Sequence, residues 1–195
     1  MKSICVYCGS AKLASREYFA AAKGMGETLA RRGQTLVYGG GRTGLMGSLA
    51  DSALANGGEV IGVITESMNT PELVHTRLTR LEVTATIHQR KARMYALAEG
   101  YIALPGGYGT LDELFETLTW AQIGLHQKPV GLLNTSGYFD PLLAMVDHAY
   151  AEGFIYKEHR SLLIAAKEPA VLLDALEHYI PPEGLNRWIE RPIED

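Results

Sequence analysis

The stretch Tyr101-Ile102-Ala103-Leu104-Pro105-Gly106-Gly107-Tyr108-Gly109-Thr110-Leu111-Asp112-Glu113 decides the fold. Its apolar start, too short for a helix, reads as a buried strand. The strand runs into three glycines within four positions, and a helical pattern follows over residues 111–127. Strand, glycine turn, helix is the repeating unit of an α/β sheet. Glycine there lets backbone approach a ligand with no Cβ in the way, and the helix dipole favours negative charge at that end. No Gly-Lys-Ser or Gly-Lys-Thr follows, so this is not the triphosphate P-loop. Thr110 to Glu113 also fits a capping box with Thr110 as N-cap. That reading explains Thr110 and Glu113 and leaves the glycines unexplained.

The same unit recurs along the chain. Residues 4–7 read as a strand before the loop Cys8-Gly9-Ser10, and residues 16–32 as a helix ended by Gly33. Residues 35–38 form a strand that runs into Gly39-Gly40-Gly41-Arg42-Thr43-Gly44, with a helix over 45–56. Further strands are expected at 60–64, 81–84 and 130–133, and further helices at 87–99, 141–152 and 169–179. Residues 65–79 are irregular. Alternating strands and helices predict an α/β, Rossmann-like three-layer fold: a parallel sheet with helices on both faces. Ligands bind such sheets beyond the carboxyl ends of the strands, so the glycine-rich loops should share one rim. One domain over residues 1–195 is expected, with the three-proline stretch 181–195 a loose or partner-docked tail.

Composition removes several function classes. The 195 residues are 47% hydrophobic and 21% charged, which is ordinary for a globular chain. The net charge of −4 and the absence of a Lys/Arg run argue against nucleic acid or a membrane surface as partner. No apolar run of ~18 residues and no signal-peptide pattern occur, so a cytoplasmic protein is expected. The 21 glycines exceed the usual ~7% share. Cys5 and Cys8 form a C-x-x-C, but residues three apart on a strand face opposite ways, which favours structural thiols over a redox pair. The six histidines show no metal-ligand spacing, so no metal is expected.

The 39–44 loop fits G-x-G-x-x-G, and Glu66 lies 22 residues past Gly44, about where a dinucleotide site places its acid. This loop follows the second strand rather than the first, which favours a mononucleotide or phosphate site. His88-Gln89-Arg90-Lys91-Ala92-Arg93 puts three cations at a helix start, against the macrodipole, unless an anion neutralises them. Arg90 and Lys91 would then face a phosphate or Glu113; the alternative is solvated charge. In the 111–127 helix Leu111, Leu114, Phe115, Leu118 and Leu125 form a core stripe. Trp120 and Ile123 lie off it, which means a subunit interface or burial under the C-terminal helices.

The 107–113 motif after Pro105-Gly106, Arg90-Lys91 upstream, and Tyr38-Gly39-Gly40-Gly41 together resemble the LOG family. These are cytokinin riboside 5′-monophosphate phosphoribohydrolases, often mislabelled lysine decarboxylases. The likeness runs from Ile4 to about Tyr150 and includes Cys8-Gly9-Ser10, Thr43-Gly44-Leu45-Met46-Gly47 and Thr119-Trp120-Ala121-Gln122. It implies a homodimer that hydrolyses nucleoside 5′-monophosphates to free base and ribose 5-phosphate, without a cofactor. By position, Arg90 and Glu113 match the catalytic pair. Glu72, Arg90, Lys91, Gly107, Tyr108, Gly109, Thr110, Leu111, Asp112, Glu113 and Thr119 match the substrate-binding positions. Backbone N–H groups of Gly107, Gly109 and Thr110 would cradle the 5′-phosphate, with Ser10, Gly40 and Gly41 in the same pocket. Two alternatives are a non-catalytic nucleotide or molybdenum-cofactor carrier and an NAD(P)-binding protein. A decarboxylase would need a pyridoxal phosphate site that no sequence feature supplies.

Overall fold

The computed structural model describes residues 1–185. Seven strands form one sheet: β1 (Ser3–Tyr7), β2 (Thr35–Tyr38), β3 (Val60–Thr65), β4 (Arg80–Thr84), β5 (Gly100–Ala103), β6 (Val130–Leu133) and β7 (Leu163–Ala166). Their order is β4-β3-β2-β1-β5-β6-β7, and every pairing is parallel. The chain builds outward from β1 to β4, then returns to the other side of β1 for β5. The β1/β5 junction is therefore the topological switch point, where a crevice opens between diverging loops.

The helices are α1 (Arg16–Arg31), α2 (Gly44–Ala55), α3 (Ile87–Leu97), α4 (Tyr108–Gln122), α5 (Asp140–Ala151), the single turn α6 (Lys157–Arg160) and α7 (Pro169–Glu177). Strand alternation divides their packing. Ile4, Val6 and Cys8 bury with Met25 and Leu29 of α1, Leu45 and Leu49 of α2, and Leu172 of α7. Cys5 and Tyr7 bury on the other face with Met94 of α3 and Leu114 of α4. The three-layer α/β expectation holds. The two thiols lie in opposite cores, both free and buried. Burial pushes both well above the usual thiol range, which leaves them inert.

Three sequence expectations are corrected. Strand β7 was not anticipated: Leu163-Ile164-Ala165-Ala166 is short and lacks flanking glycine, and it becomes a strand by pairing with β6. Phe115 and Leu125 are not core; they are 45% and 63% exposed. Trp120, by contrast, packs edge-on against Tyr95 of α3, ring centroids 4.9 Å apart. The tail begins docked rather than loose, because Leu185 buries against Ala121 and Leu162. The rest of the expected tail, 186–195, lies outside the described residues. No described helix is long and apolar enough to cross a membrane.

Helix α3 starts with a reciprocal cap. The Thr86 hydroxyl accepts from the Gln89 N–H, and the Gln89 side chain accepts from the Thr86 N–H. Replacing Thr86 with Ala should cost about 1 kcal/mol. For a chain of this size that is a fall of roughly 2–4 °C in thermal midpoint, readable by calorimetry.

Candidate active site

The first backbone N–H groups of a helix have no partner within the helix and must find one elsewhere. The two glycine loops answer this differently. At the start of α2, the N–H groups of Leu45 and Met46 both point at the Gly9 carbonyl, at 2.9 and 3.4 Å. Those donors are spent inside the protein. At the start of α4, the N–H groups of Gly107, Tyr108, Gly109 and Thr110 find no acceptor among the described residues; Leu111 is the first to bond, to the Gly107 carbonyl at 3.1 Å. Four free donors with the positive end of a helix dipole give the α4 start the chemistry to receive an anion.

Helix α4 begins at Tyr108 with Gly107 as N-cap, so the expected Thr110–Glu113 capping box does not form. The 105–107 turn lets the helix begin three residues early. Glu113 consequently sits in the second turn, facing inward. Its Oε1 accepts a 2.9 Å hydrogen bond from Nη1 of Arg90. Arg90 is itself buried, and its Nε donates to the Val63 carbonyl at the end of β3, 2.9 Å away. Its Nη2 occupies the space over Gly39, where a Cβ would lie 2.2 Å from it. Gly39 thus gives up its side chain to make room for a guanidinium. Burial pushes the Glu113 carboxyl above the usual carboxylate range, and Arg90 pulls it only part of the way back.

The other two cations of α3 are also paired, which sets aside the solvated-charge reading. Lys91 forms no ion pair with Glu113, although its charge acts on that carboxyl from nearby. Its Nζ contacts Asp112 at 3.1 Å and Glu116 at 3.0 Å. Burial works against its charge, yet Glu116 and Asp112 hold the ammonium above the usual lysine range. Arg93 grips Glu82 with two hydrogen bonds, at 2.5 and 3.0 Å.

At the switch point a cleft of about 390 Å³ is lined by Gly9, Ser10, Tyr18, Pro105, Gly106, Gly107 and Tyr138 among others. Ser10 and Gly107 therefore share a wall, as expected. Gly40 and Gly41 are not in that lining; they clamp the irregular segment instead. Gly40 accepts from the His75 N–H at 2.9 Å, Gly41 bridges to Val74, and the Arg42 N–H reaches the Leu73 carbonyl at 2.8 Å. The buried His75 ring accepts from the Arg77 N–H and contacts Asp51 at 3.2 Å, fixing the segment from the other side. Glu72 is carried on this clamped stretch, exposed. Tyr108 is 94% exposed at the mouth, Leu111 is half-buried, and Asp112 is exposed. Thr119 is exposed and caps its own helix backbone, donating to the Phe115 carbonyl at 2.7 Å. It lies nine residues past Thr110, roughly 13 Å along the axis.

Sequence reasoning missed Gly39 as the seat of Arg90, and it missed Tyr18 and Tyr138. Tyr138 was within reach of the argument: it follows β6, and every loop after a parallel strand opens on the same rim. The described residues contain no cluster of His, Cys, Asp and Glu that could hold a metal ion.

A parallel sheet with a switch-point cleft, a helix start with four free donors, and a buried pair of the Glu113 carboxylate on that helix with the Arg90 guanidinium define a Rossmann-like α/β protein; Arg90 and Glu113 are not part of the cleft lining. Residues 46–176 match a family described as possible lysine decarboxylase. The chain is 47% identical over 180 residues to the cytokinin riboside 5′-monophosphate phosphoribohydrolase LOG of Oryza sativa subsp. japonica, covering 92% of this chain and 74% of the relative. It is 50% identical over 168 residues to the enzyme of the same name from Rhodococcoides fascians, covering 86% and 85%. The molybdenum cofactor binding protein of Rippkaea orientalis shares the fold, with a TM-score of 0.69 at 23% identity over 91% of this chain and 96% of that one. The chain belongs to the LOG family.

The pair of groups makes a titration experiment decisive. Carbon-13 NMR of the Glu113 carboxyl should show a midpoint above the ordinary glutamate range. Replacing Arg90 with Met should raise it further, because burial then acts unopposed. A fall on that substitution would show that Arg90 does not stabilise the carboxylate.

Proposed function

We propose that the protein hydrolyses the N-glycosidic bond of nucleoside 5′-monophosphates, cytokinin riboside or adenosine 5′-monophosphates, to free base and ribose 5-phosphate. The observation that carries this is the placing of Glu113 three to six residues past the free N–H groups of α4, roughly 5–9 Å along the helix axis. A phosphate held by those donors puts the ribose next to the carboxylate. As the C1′–N bond breaks, its electron pair leaves with the base and positive charge builds on the sugar, as in glycoside hydrolysis. The ionised Glu113 stabilises that charge and accepts a proton from the water that attacks C1′. Arg90 holds the carboxylate in place and supports the departing base. The relatives' printed activity is the same reaction on cytokinin riboside 5′-monophosphates.

The family description as a lysine decarboxylase implies pyridoxal phosphate, and the residues do not fit it. A Schiff-base lysine needs a lowered pKa. Lys91, beside the site, is held charged by Glu116 and Asp112. Lys128 is lowered by burial, but it precedes β6 at the opposite rim, with its ammonium on the Tyr95 carbonyl and over the Tyr95 ring.

The raised Glu113 pKa sets the pH dependence. The carboxylate must be ionised for catalysis, so kcat falls as pH drops through a midpoint above the ordinary glutamate range. For stability, the raised pKa means that the Glu113 contribution is present at low pH and is lost as pH rises through that midpoint. Glu113→Gln keeps an acceptor for Arg90 while removing the charge. It should therefore lower kcat on AMP on the order of 10²-fold, leave nucleotide binding in place and shift the thermal midpoint little. Chromatography of base and ribose 5-phosphate from AMP and isopentenyladenosine monophosphate provides the assay. An unchanged kcat would move the chemistry to another residue.

The working form is a homodimer, in a reducing cytoplasm that suits two free thiols. Phe115 and Leu125 are apolar and exposed, Phe115 two residues past Glu113 on α4 and Leu125 just beyond the far end of that helix. Light scattering of the wild type should give twice the chain mass, and Phe115→Glu should shift it toward monomer. A monomeric wild type removes the assignment.

A further inference from the structure

The free donors of α4 are reached through the Gly106–Gly107 peptide. A peptide flanked by two glycines is the easiest kind to flip, since neither residue has a Cβ to restrict it. Packing restrains Gly106 on one side: a Cβ there would lie 2.1 Å from the Thr110 hydroxyl and 2.8 Å from the Gly9 nitrogen. On another side its carbonyl accepts a 2.6 Å hydrogen bond from the Tyr138 hydroxyl. In a planar trans peptide the carbonyl and the following N–H point in opposite directions. Holding the Gly106 carbonyl therefore sets where the Gly107 N–H points, and that N–H is one of the four free donors.

Tyr138 is itself firmly held. Its ring meets Tyr18 edge-on at 5.6 Å and Phe139 at 5.0 Å. The turn that carries it is closed by Asn134, which bonds the Phe139 N–H at 2.8 Å and Asp140 at 2.7 Å. It is tied to α1 by Ser136, which donates to Glu17 at 2.7 Å.

We propose that Tyr138 is a positioning residue of the anion cradle: its hydroxyl locks the Gly106–Gly107 peptide so that the Gly107 N–H stays aimed at the ligand's phosphate. The inference rests on the phosphoribohydrolase reading above. It assigns a role in the site to the β6–α5 connection, far from the glycine motif in sequence.

The test is Tyr138→Phe, which keeps the ring contacts and removes the hydroxyl. One lost hydrogen bond corresponds to a weakening of about three- to tenfold. That loss should appear in the KM for AMP more than in kcat, and equally in the inhibition constant of ribose 5-phosphate. Inhibition by adenine, the product without phosphate, should change less than about twofold. Unaltered ribose 5-phosphate inhibition overturns the lock. Equal losses for adenine and ribose 5-phosphate also overturn it, since Tyr138 would then be a general wall of the cleft. Titration calorimetry of ribose 5-phosphate reads the lock without turnover. A wild type that binds this sugar phosphate but releases no base from AMP would defeat the hydrolase reading, and weaker binding by Tyr138→Phe would still support the lock.

Discussion

Every pairing in the sheet is parallel, so each strand must be followed by a crossover before the next can be laid down, and five of the six crossovers here run through an α-helix, the β3–β4 connection being irregular. That constraint brings helix starts to the carboxyl rim of the sheet, each with backbone donors that need partners. The molecule resolves three of them in three ways. The Gly9 carbonyl takes two donors of α2, a reciprocal Thr86–Gln89 cap takes two at the start of α3, and at α4 all four from Gly107 to Thr110 have no acceptor among the described residues. How many donors a helix start keeps depends on what folds against it, and not on which loop holds more glycines.

The Arg90–Glu113 pair depends on the same architecture. Arg90 reaches its place because α3 packs across the ends of β2 and β3, where the Val63 carbonyl and the bare Gly39 receive it. Burying two opposite charges is costly unless each is hydrogen-bonded. Here the guanidinium gives its Nε donor to the Val63 carbonyl and an Nη1 donor to Glu113 Oε1, and the second carboxylate oxygen carries no side-chain hydrogen bond among the described residues. Burial raises the Glu113 carboxyl while Arg90 opposes it, so its ionised form is weakly solvated. A carboxylate in that condition interacts strongly with a cation forming beside it.

The layered α/β fold was legible in the sequence because apolar periodicity and glycine punctuation are local signals, and six of the seven strands carried them. So was the Arg90–Glu113 pair, through the motif that carries the family resemblance. Strand β7 was not legible, since an edge strand without flanking turns is defined by its neighbour. The helix cap was misplaced because Thr110-Leu111-Asp112-Glu113 satisfies the capping pattern, while the Gly106–Gly107 turn lets the helix start earlier.

What the sequence determined by itself was the order of elements, the two glycine loops and the residue types that could do glycosidic chemistry. All of these depend on spacing along one chain. Only the tertiary structure decided which loop keeps free donors, which of the α3 cations meets Glu113, and that Gly39 seats Arg90 while Tyr138 reaches the Gly106 carbonyl. Those outcomes depend on hydrogen bonds and steric contacts between segments distant in sequence. A donor is free or spent according to what folds against it: the Gly9 carbonyl takes the Leu45 and Met46 N–H groups of α2, and nothing among the described residues takes the first four of α4.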